Sequence, residues 1–210
     1  MHSTTDKKRA AKVIPSRMLQ KYRAKLIELV SDEILFRVGD PAADYFQVEA
    51  GSIKTSVVNP EGHEFILGIY ERGESFGEAA LIGKYPHHGN ACAIEASKVW
   101  RMPGNFFFQM LKENFSSHVN IDQVLCQRLK YKSMVLTEVS SHAPEHRIHS
   151  LLQYFKAKHG VNQNSQTLTI PYTRQQLADM VGLRVETVIR TVKRMEKEGV
   201  LQLQGHKIIF

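Results

Sequence analysis

Between Tyr172 and Glu196 charged and apolar side chains recur at the steps of a helix. Glu186, Ile189, Arg190 and Lys193 fall on one face, with Val185 at its start. A guanidinium can give two hydrogen bonds to a guanine edge and a carboxylate can accept from cytosine N4, each good pair contributing roughly 1–3 kcal/mol of discrimination. This face therefore has the chemistry needed to read a major groove. The plain alternative is a solvated face held by i,i+4 pairs such as Glu186–Arg190. Its surroundings weigh against that. Thr173 can cap a helix of about two turns, Ala178 is small where two helices would cross, and Gly182 suits a tight turn. Leu177, Val181, Leu183, Val188 and Val192 supply the small core of a helix-turn-helix.

The flanking text predicts what holds this unit. Ser140–Ser141–His142–Ala143–Pro144 reads as a helix stop, because the residue before proline is pushed out of the helical region. After it come an amphipathic helix over Glu145–His159, a polar loop, a short strand over Thr167–Pro171, and two alternating segments, Val200–Gln204 and His206–Phe210, that form a hairpin around Gly205. Upstream, a short helix over Phe106–Lys112 precedes a long one starting near Ser116–Ser117, in which Ile121, Leu125, Leu129, Leu136 and Val139 form one apolar row and Val124, Tyr131 and Val135 a second. Two apolar faces imply two neighbours: the preceding domain, and the same helix of a second chain.

From Lys25 to about Met102 the chain reads as short strands: Lys25–Leu29, Ile34–Phe36, Tyr45–Glu49, Ser52–Asn59, His63–Tyr70 and Cys92–Arg101. Glycines at 39, 51, 62 and 73 punctuate them, Asn59–Pro60–Glu61–Gly62 is the clearest hairpin turn, and Phe76–Lys84 reads as a short helix. The predicted fold class is α+β. It comprises a basic leader (1–24), an N-terminal antiparallel β-roll of jelly-roll type (25–115), a long dimerisation helix (116–141) and a C-terminal winged helix-turn-helix (142–210).

Charge follows the same divisions. The formal +7 of the 210-residue chain sums a leader at +7, a middle (26–141) at −5 and a C-terminal part (142–210) at +5. Only the last is tied to the helix-turn-helix; the leader reads as a solvated tail. Two cysteines are too few for a disulfide scaffold and fit a reducing cytoplasm, and no apolar run approaches the roughly 20 residues of a membrane span. A soluble cytoplasmic protein without membrane contact is expected.

The β-roll glycines, Phe76-Gly77-Glu78-Ala79-Ala80-Leu81, the long helix and Thr173–Ala178 through Val185–Arg190 together resemble the CRP/FNR transcription regulators over nearly the whole chain from Lys25. The resemblance implies a homodimer that binds double-stranded DNA at a two-fold site, contacts RNA polymerase, and carries a sensor roll. It places Glu186 and Arg190 at base-reading positions, and gives Val185 the valine of FNR-type rather than the arginine of CRP-type members, hence a TTGA-type rather than TGTGA half-site. Thr173, Arg174 and Gln175 match backbone contacts at a helix start, and the Gly205-His206-Lys207 turn a phosphate-facing wing tip. Arg184 stands where serine or threonine usually caps the recognition helix; it cannot accept the capping bonds and opposes the helix dipole, but it can reach a phosphate, as can Lys193.

In cyclic-nucleotide members an arginine and a serine hold the cyclic phosphate after the residues matching Gly77 and Glu78; here His88 and Gly89 stand there, and Lys132 and Ser133 fall where adenine contacts would sit. A histidine is no substitute for a forked guanidinium. The effector therefore stays open, with cyclic AMP as an alternative and no cofactor required. Iron–sulfur sensing needs four cysteines. Haem binding by His87 or His88 competes with plain solvation of a loop, and Cys92 and Cys126 read as buried, inert thiols. A cupin-type metal enzyme would need an HxH pair, which neither His87–His88 nor His63–Glu64 provides. No catalytic residues and no metal ligands are expected.

Overall fold

The computed structural model describes residues 12–141, 143–159 and 167–210, in two compact units: the chain to Val57 with Leu67–Cys126, and Val58–Ile66 with Gln127–Phe210. The fold is the expected α+β arrangement of antiparallel sheets, a long helix and a helix-turn-helix.

Eight strands build the roll: β1 (Lys25–Leu29), β2 (Ile34–Phe36), β3 (Asp44–Ala50), β4 (Ile53–Val58), β5 (Glu64–Tyr70), β6 (Ser75–Phe76), β7 (Asn90–Ala93) and β8 (Ser97–Pro103). They form two four-stranded sheets in the orders β1-β8-β3-β6 and β2-β7-β4-β5. One core contains Phe36, Phe46, Val48, Ile53, Phe76 and Val99, with Phe46 stacked on Phe76 at a ring separation of 5.4 Å. Gly51 turns the chain between β3 and β4 at φ +80°, and a Cβ there would lie 2.3 Å from Ser97 Oγ and 2.7 Å from the Ala96 carbonyl oxygen. Only glycine meets both demands.

Three expectations are corrected. The single strand over Cys92–Arg101 is two, β7 and β8, belonging to different sheets. Ile94, Glu95 and Ala96 carry the chain between them without the glycine or proline that marks other turns. The helix over Phe76–Lys84 begins later: Phe76 ends β6, Gly77 is left-handed, and α2 spans Glu78–Gly83. The end of the supposed leader is part of the core. Helix α1 (Ser16–Lys21) and its flanks bury Ile14, Leu19 and Tyr22 with Tyr45, Trp100, Met102, Phe107, Met110 and Ile121. Gln47, itself fully buried, donates to the Ile14 carbonyl (2.8 Å) and accepts from its N–H (2.9 Å), so this segment is held like an added strand. Residues 1–11 lie outside the described residues.

Helix α3 (Gly104–Glu113) leads to the long helix α4 (Phe115–Ser141). Its apolar row divides. Ile121 is fully buried and Leu125 half-buried against the core just described, whereas Leu129, Leu136 and Val139 are exposed by 67%, 71% and 37%. The first two are therefore roll-packing residues rather than part of a free face, because the start of α4 lies over the core that α1 and α3 share. Among the described residues no helix is long and apolar enough to cross a membrane.

The second unit contains α5 (Pro144–Lys158), β9 (Thr169–Ile170), α6 (Arg174–Val181), α7 (Val185–Lys197), β10 (Gln202–Gln204) and β11 (Lys207–Ile209), the strands pairing in the order β10-β11-β9. Its core joins Ile148, Leu151, Leu152 and Phe155 of α5 with Leu177, Ala178, Val188, Val192 and Ile208, all nearly or completely buried. His142 and the loop 160–166 lie outside the described residues.

Candidate nucleic-acid interface

Helix α6 begins with a reciprocal cap. Thr173 Oγ1 accepts from the Gln176 N–H (3.1 Å) and Gln176 Oε1 accepts from the Thr173 N–H (2.9 Å). The helix ends at Gly182, left-handed at φ +64°, whose N–H donates to the Ala178 carbonyl; the Leu183 N–H bonds the same oxygen at 3.0 Å. Ala178 is completely buried. These contacts fix the turn that launches α7.

On α7 the side chains divide cleanly. Val188, Thr191, Val192 and Met195 are buried, and Glu186, Ile189, Arg190 and Lys193 are exposed on the opposite side, with Val185 half-buried in the first turn. Glu186 and Arg190 form no ion pair with each other or with other described residues, so both polar ends remain available. Arg184 occupies the cap position in an extended conformation (φ −73°, ψ 145°) and makes no capping bond. The helix is fastened from behind: Arg194 Nε pairs with Glu145 at the start of α5, and Glu196 Oε1 accepts from the Leu203 N–H (3.1 Å) at the wing. The first was not legible in the sequence, since it joins residues 49 positions apart; the second spans only seven positions but depends on how the chain turns after α7.

Thr173 and Gln175 are exposed; Gln175 Nε2 donates to Asp179 (2.7 Å), which limits its reach. Arg174 is half-buried. Its Nη1 is shut off from solvent without an acceptor among the described residues, and burial pulls the guanidinium pKa below its usual value. At the wing tip Gly205 is left-handed (φ +57°), and His206 and Lys207 are exposed.

The residues considered for an effector lie in different parts of the chain. Gly77, Glu78, His88 and Gly89 belong to the first unit; Lys132 and Ser133 belong to the second and are exposed on α4. Glu78 is completely buried, His88 is exposed, and Gly89 packs so closely that a Cβ would meet the Ser56 carbonyl oxygen at 2.8 Å. Two solvation readings change. His87 is buried, its ring stacked on Phe36 at 3.6 Å, because the β2–β3 turn folds over it; Cys126 is exposed on α4. Among the described residues no group of three or more His, Cys, Asp or Glu side chains is placed to hold a metal ion.

Residues 26–114 match the cyclic nucleotide-binding domain family, and residues 146–210 the Crp-like helix-turn-helix domain. The chain belongs to the CRP/FNR family of transcription regulators. The anaerobic regulatory protein of Pasteurella multocida is 24% identical over 177 residues, 84% of this chain but 64% of that protein. The fumarate and nitrate reduction regulatory protein of Salmonella typhi is 28% identical over 184 residues, 84% of this chain and 70% of that one. This chain thus spans about two thirds of the length of such relatives. The structure of FixK2 from Bradyrhizobium japonicum superposes with a TM-score of 0.75 at 19% identity, covering 89% of this chain and 92% of the other, which shows the shared fold. Like its relatives, this CRP/FNR member is a DNA-binding regulator with a helix-turn-helix.

Proposed function

We propose that the protein acts as a homodimer whose two α7 helices enter successive major grooves of a two-fold DNA site. The observation that carries this reading is the face of α7, with Glu186, Ile189, Arg190 and Lys193 exposed opposite a buried stripe. Glu186 and Arg190 read base edges, Val185 and Ile189 supply apolar contacts, and the half-site is TTGA-type. Thr173, Gln175, Arg184, Lys193, His206 and Lys207 meet phosphates; Arg174 does so with the donors other than its inward Nη1. Leu129, Leu136 and Val139 form the dimer seam.

The protein works by binding alone, without catalysis, in the cytoplasm, and contacts RNA polymerase on DNA. An effector acts on the roll, as in other members of the family. Cyclic AMP is disfavoured because His88 is exposed and Gly89 leaves no room for a serine side chain, so the guanidinium and hydroxyl that clamp a cyclic phosphate have no counterpart there. Duplex binding followed by fluorescence anisotropy across a salt series tests the interface. A dimer meeting several phosphates loses roughly 10³-fold or more in affinity between 50 and 200 mM salt. A flat salt dependence, or tight binding by a monomer, would remove this reading. A shift of more than about tenfold in DNA affinity on adding cyclic AMP would restore the cyclic-nucleotide alternative.

A further inference from the structure

We infer that the β-roll carries a small-molecule site between the β2–β3 turn and the loop before β7, shaped for a planar cation about the size of one aromatic ring. A cavity of about 170 Å³ opens there, lined among others by Phe36, Phe46, Asp40, Asp44, His87 and Arg101. Gly77, Glu78, His88 and Gly89 do not line it, although Gly77 packs against Phe46 and His87, which do. A cavity of about 150 Å³ is enough to hold benzene. The size therefore suits one ring with a small head group.

His87 gives the site its direction. It is 5% exposed, its backbone is tied to the turn by bonds from its N–H to the Asp40 carbonyl (2.9 Å) and from the Gly39 N–H to its own carbonyl (2.7 Å), and its ring lies flat on Phe36. Its ring nitrogens have no hydrogen-bond partner among the described residues. Neither nitrogen is among the side-chain atoms sealed from solvent, so the polar edge of this firmly held ring is open, and a ligand can replace water there. Burial lowers its pKa; Asp40 and Asp44 oppose that and His88 adds to it, and the ring stays neutral near pH 7, with one donor and one acceptor.

The charge of the lining selects the ligand. Asp44 Oδ2 accepts from Arg101 Nε (2.8 Å) and Nη2 (2.7 Å), so those two charges cancel. Asp40 is exposed and its Oδ2 accepts only a neutral partner, the Arg37 N–H (2.7 Å), which leaves one carboxylate without an ion pair among the described residues in a lining that includes Phe36 and Phe46. Both the carboxylate and the aromatic quadrupole favour a cation. A bare metal ion fits poorly, since no three ligating side chains converge among the described residues.

Benzamidine, benzamide and benzoate share ring and shape and differ in charge. The test titrates each into the whole chain and follows the His87 ring Cε1–H resonance. Benzamidine is expected to bind saturably and at least about tenfold more tightly than benzamide, with benzoate weaker still. Asp40→Asn, which keeps an acceptor for the Arg37 N–H, is expected to shrink that preference to less than about threefold. Ala43→Leu, which fills the cavity, is expected to abolish binding of all three while DNA affinity stays as in the wild type. Binding of none of the probes, benzoate binding as tightly as benzamidine, or an unchanged preference in Asp40→Asn would overturn the inference. Because DNA affinity is read separately, failure here leaves the α7 interface standing.

Discussion

At the scale of single residues the interface makes graded predictions. Arg190→Ala and Glu186→Ala remove groups that are exposed and unpaired among the described residues, so each should leave folding unchanged and cost about 1–3 kcal/mol of base discrimination, measured as relative affinity for cognate and single-substituted duplexes. Lys193→Ala should instead weaken all duplexes alike and reduce the slope of log affinity against log salt by about one. Arg184→Ser should behave in the opposite sense for stability. It restores a cap acceptor to α7 and removes a cation from a helix N-terminus, raising the urea unfolding free energy by about 1 kcal/mol while weakening DNA binding. An Arg184→Ser variant no more stable than wild type would show that the α7 terminus is satisfied in another way. The chemistry of these residues could be read from helical spacing alone. What could not be read is the state of Arg174 and His87, because burial of a polar side chain depends on which distant segment folds over it, and the β2–β3 turn that covers His87 lies some fifty positions upstream.

Among the elements, α4 and the N-terminal segment diverge from simple periodicity. The apolar row of α4, interrupted at Lys132, reads as one face in the sequence, but Ile121 and Leu125 serve the roll core, whereas Leu129, Leu136 and Val139 are exposed. Leu129→Glu with Leu136→Glu should therefore give a folded monomer by sedimentation, with helix content preserved and DNA affinity reduced by about tenfold or more because two half-sites no longer act together. A double variant that remains dimeric would move the seam elsewhere. Residues 12–16 are held by Glu49, whose carboxylate accepts from Lys12 Nζ (2.6 Å), Ser16 Oγ (3.2 Å) and Trp100 Nε1 (2.7 Å). Burial pushes this carboxyl up, but the bonds from Lys12 and Trp100 more than offset it, and its pKa stands below the ordinary glutamate value. A depressed carboxylate pKa stabilises the fold above the unfolded-state pKa, and the contribution disappears as pH falls through the folded-state value. Glu49→Gln should thus lower stability by about 1 kcal/mol at pH 7 and flatten the loss between pH 5 and acid. The same acid profile in wild type and variant would place that loss at other carboxylates. Strand positions were mostly legible because glycines mark the turns; the β7–β8 crossing was not, because Ile94, Glu95 and Ala96 carry no such mark.

For the whole molecule the net +7 is a poor guide, since it sums segments with different uses. The basic stretch before Lys25 includes Lys12, which pairs with Glu49 inside the roll rather than with a polyanion. The charges proposed to bear on DNA sit on α7 and the wing, on a unit fastened through Arg147 to the end of α4, where its Nη2 donates to the Val139 carbonyl (2.8 Å) and Glu138 accepts from His146 (2.6 Å) and Ser150 (3.0 Å). Selection of bound duplexes from a random pool tests the central claim most directly. The wild-type chain should enrich paired TTGA-type half-sites about one helical turn apart, and Glu186→Ala with Arg190→Ala should lose that enrichment. Enrichment of TGTGA half-sites, or an unchanged preference in the double variant, would contradict the assignment of base reading to α7.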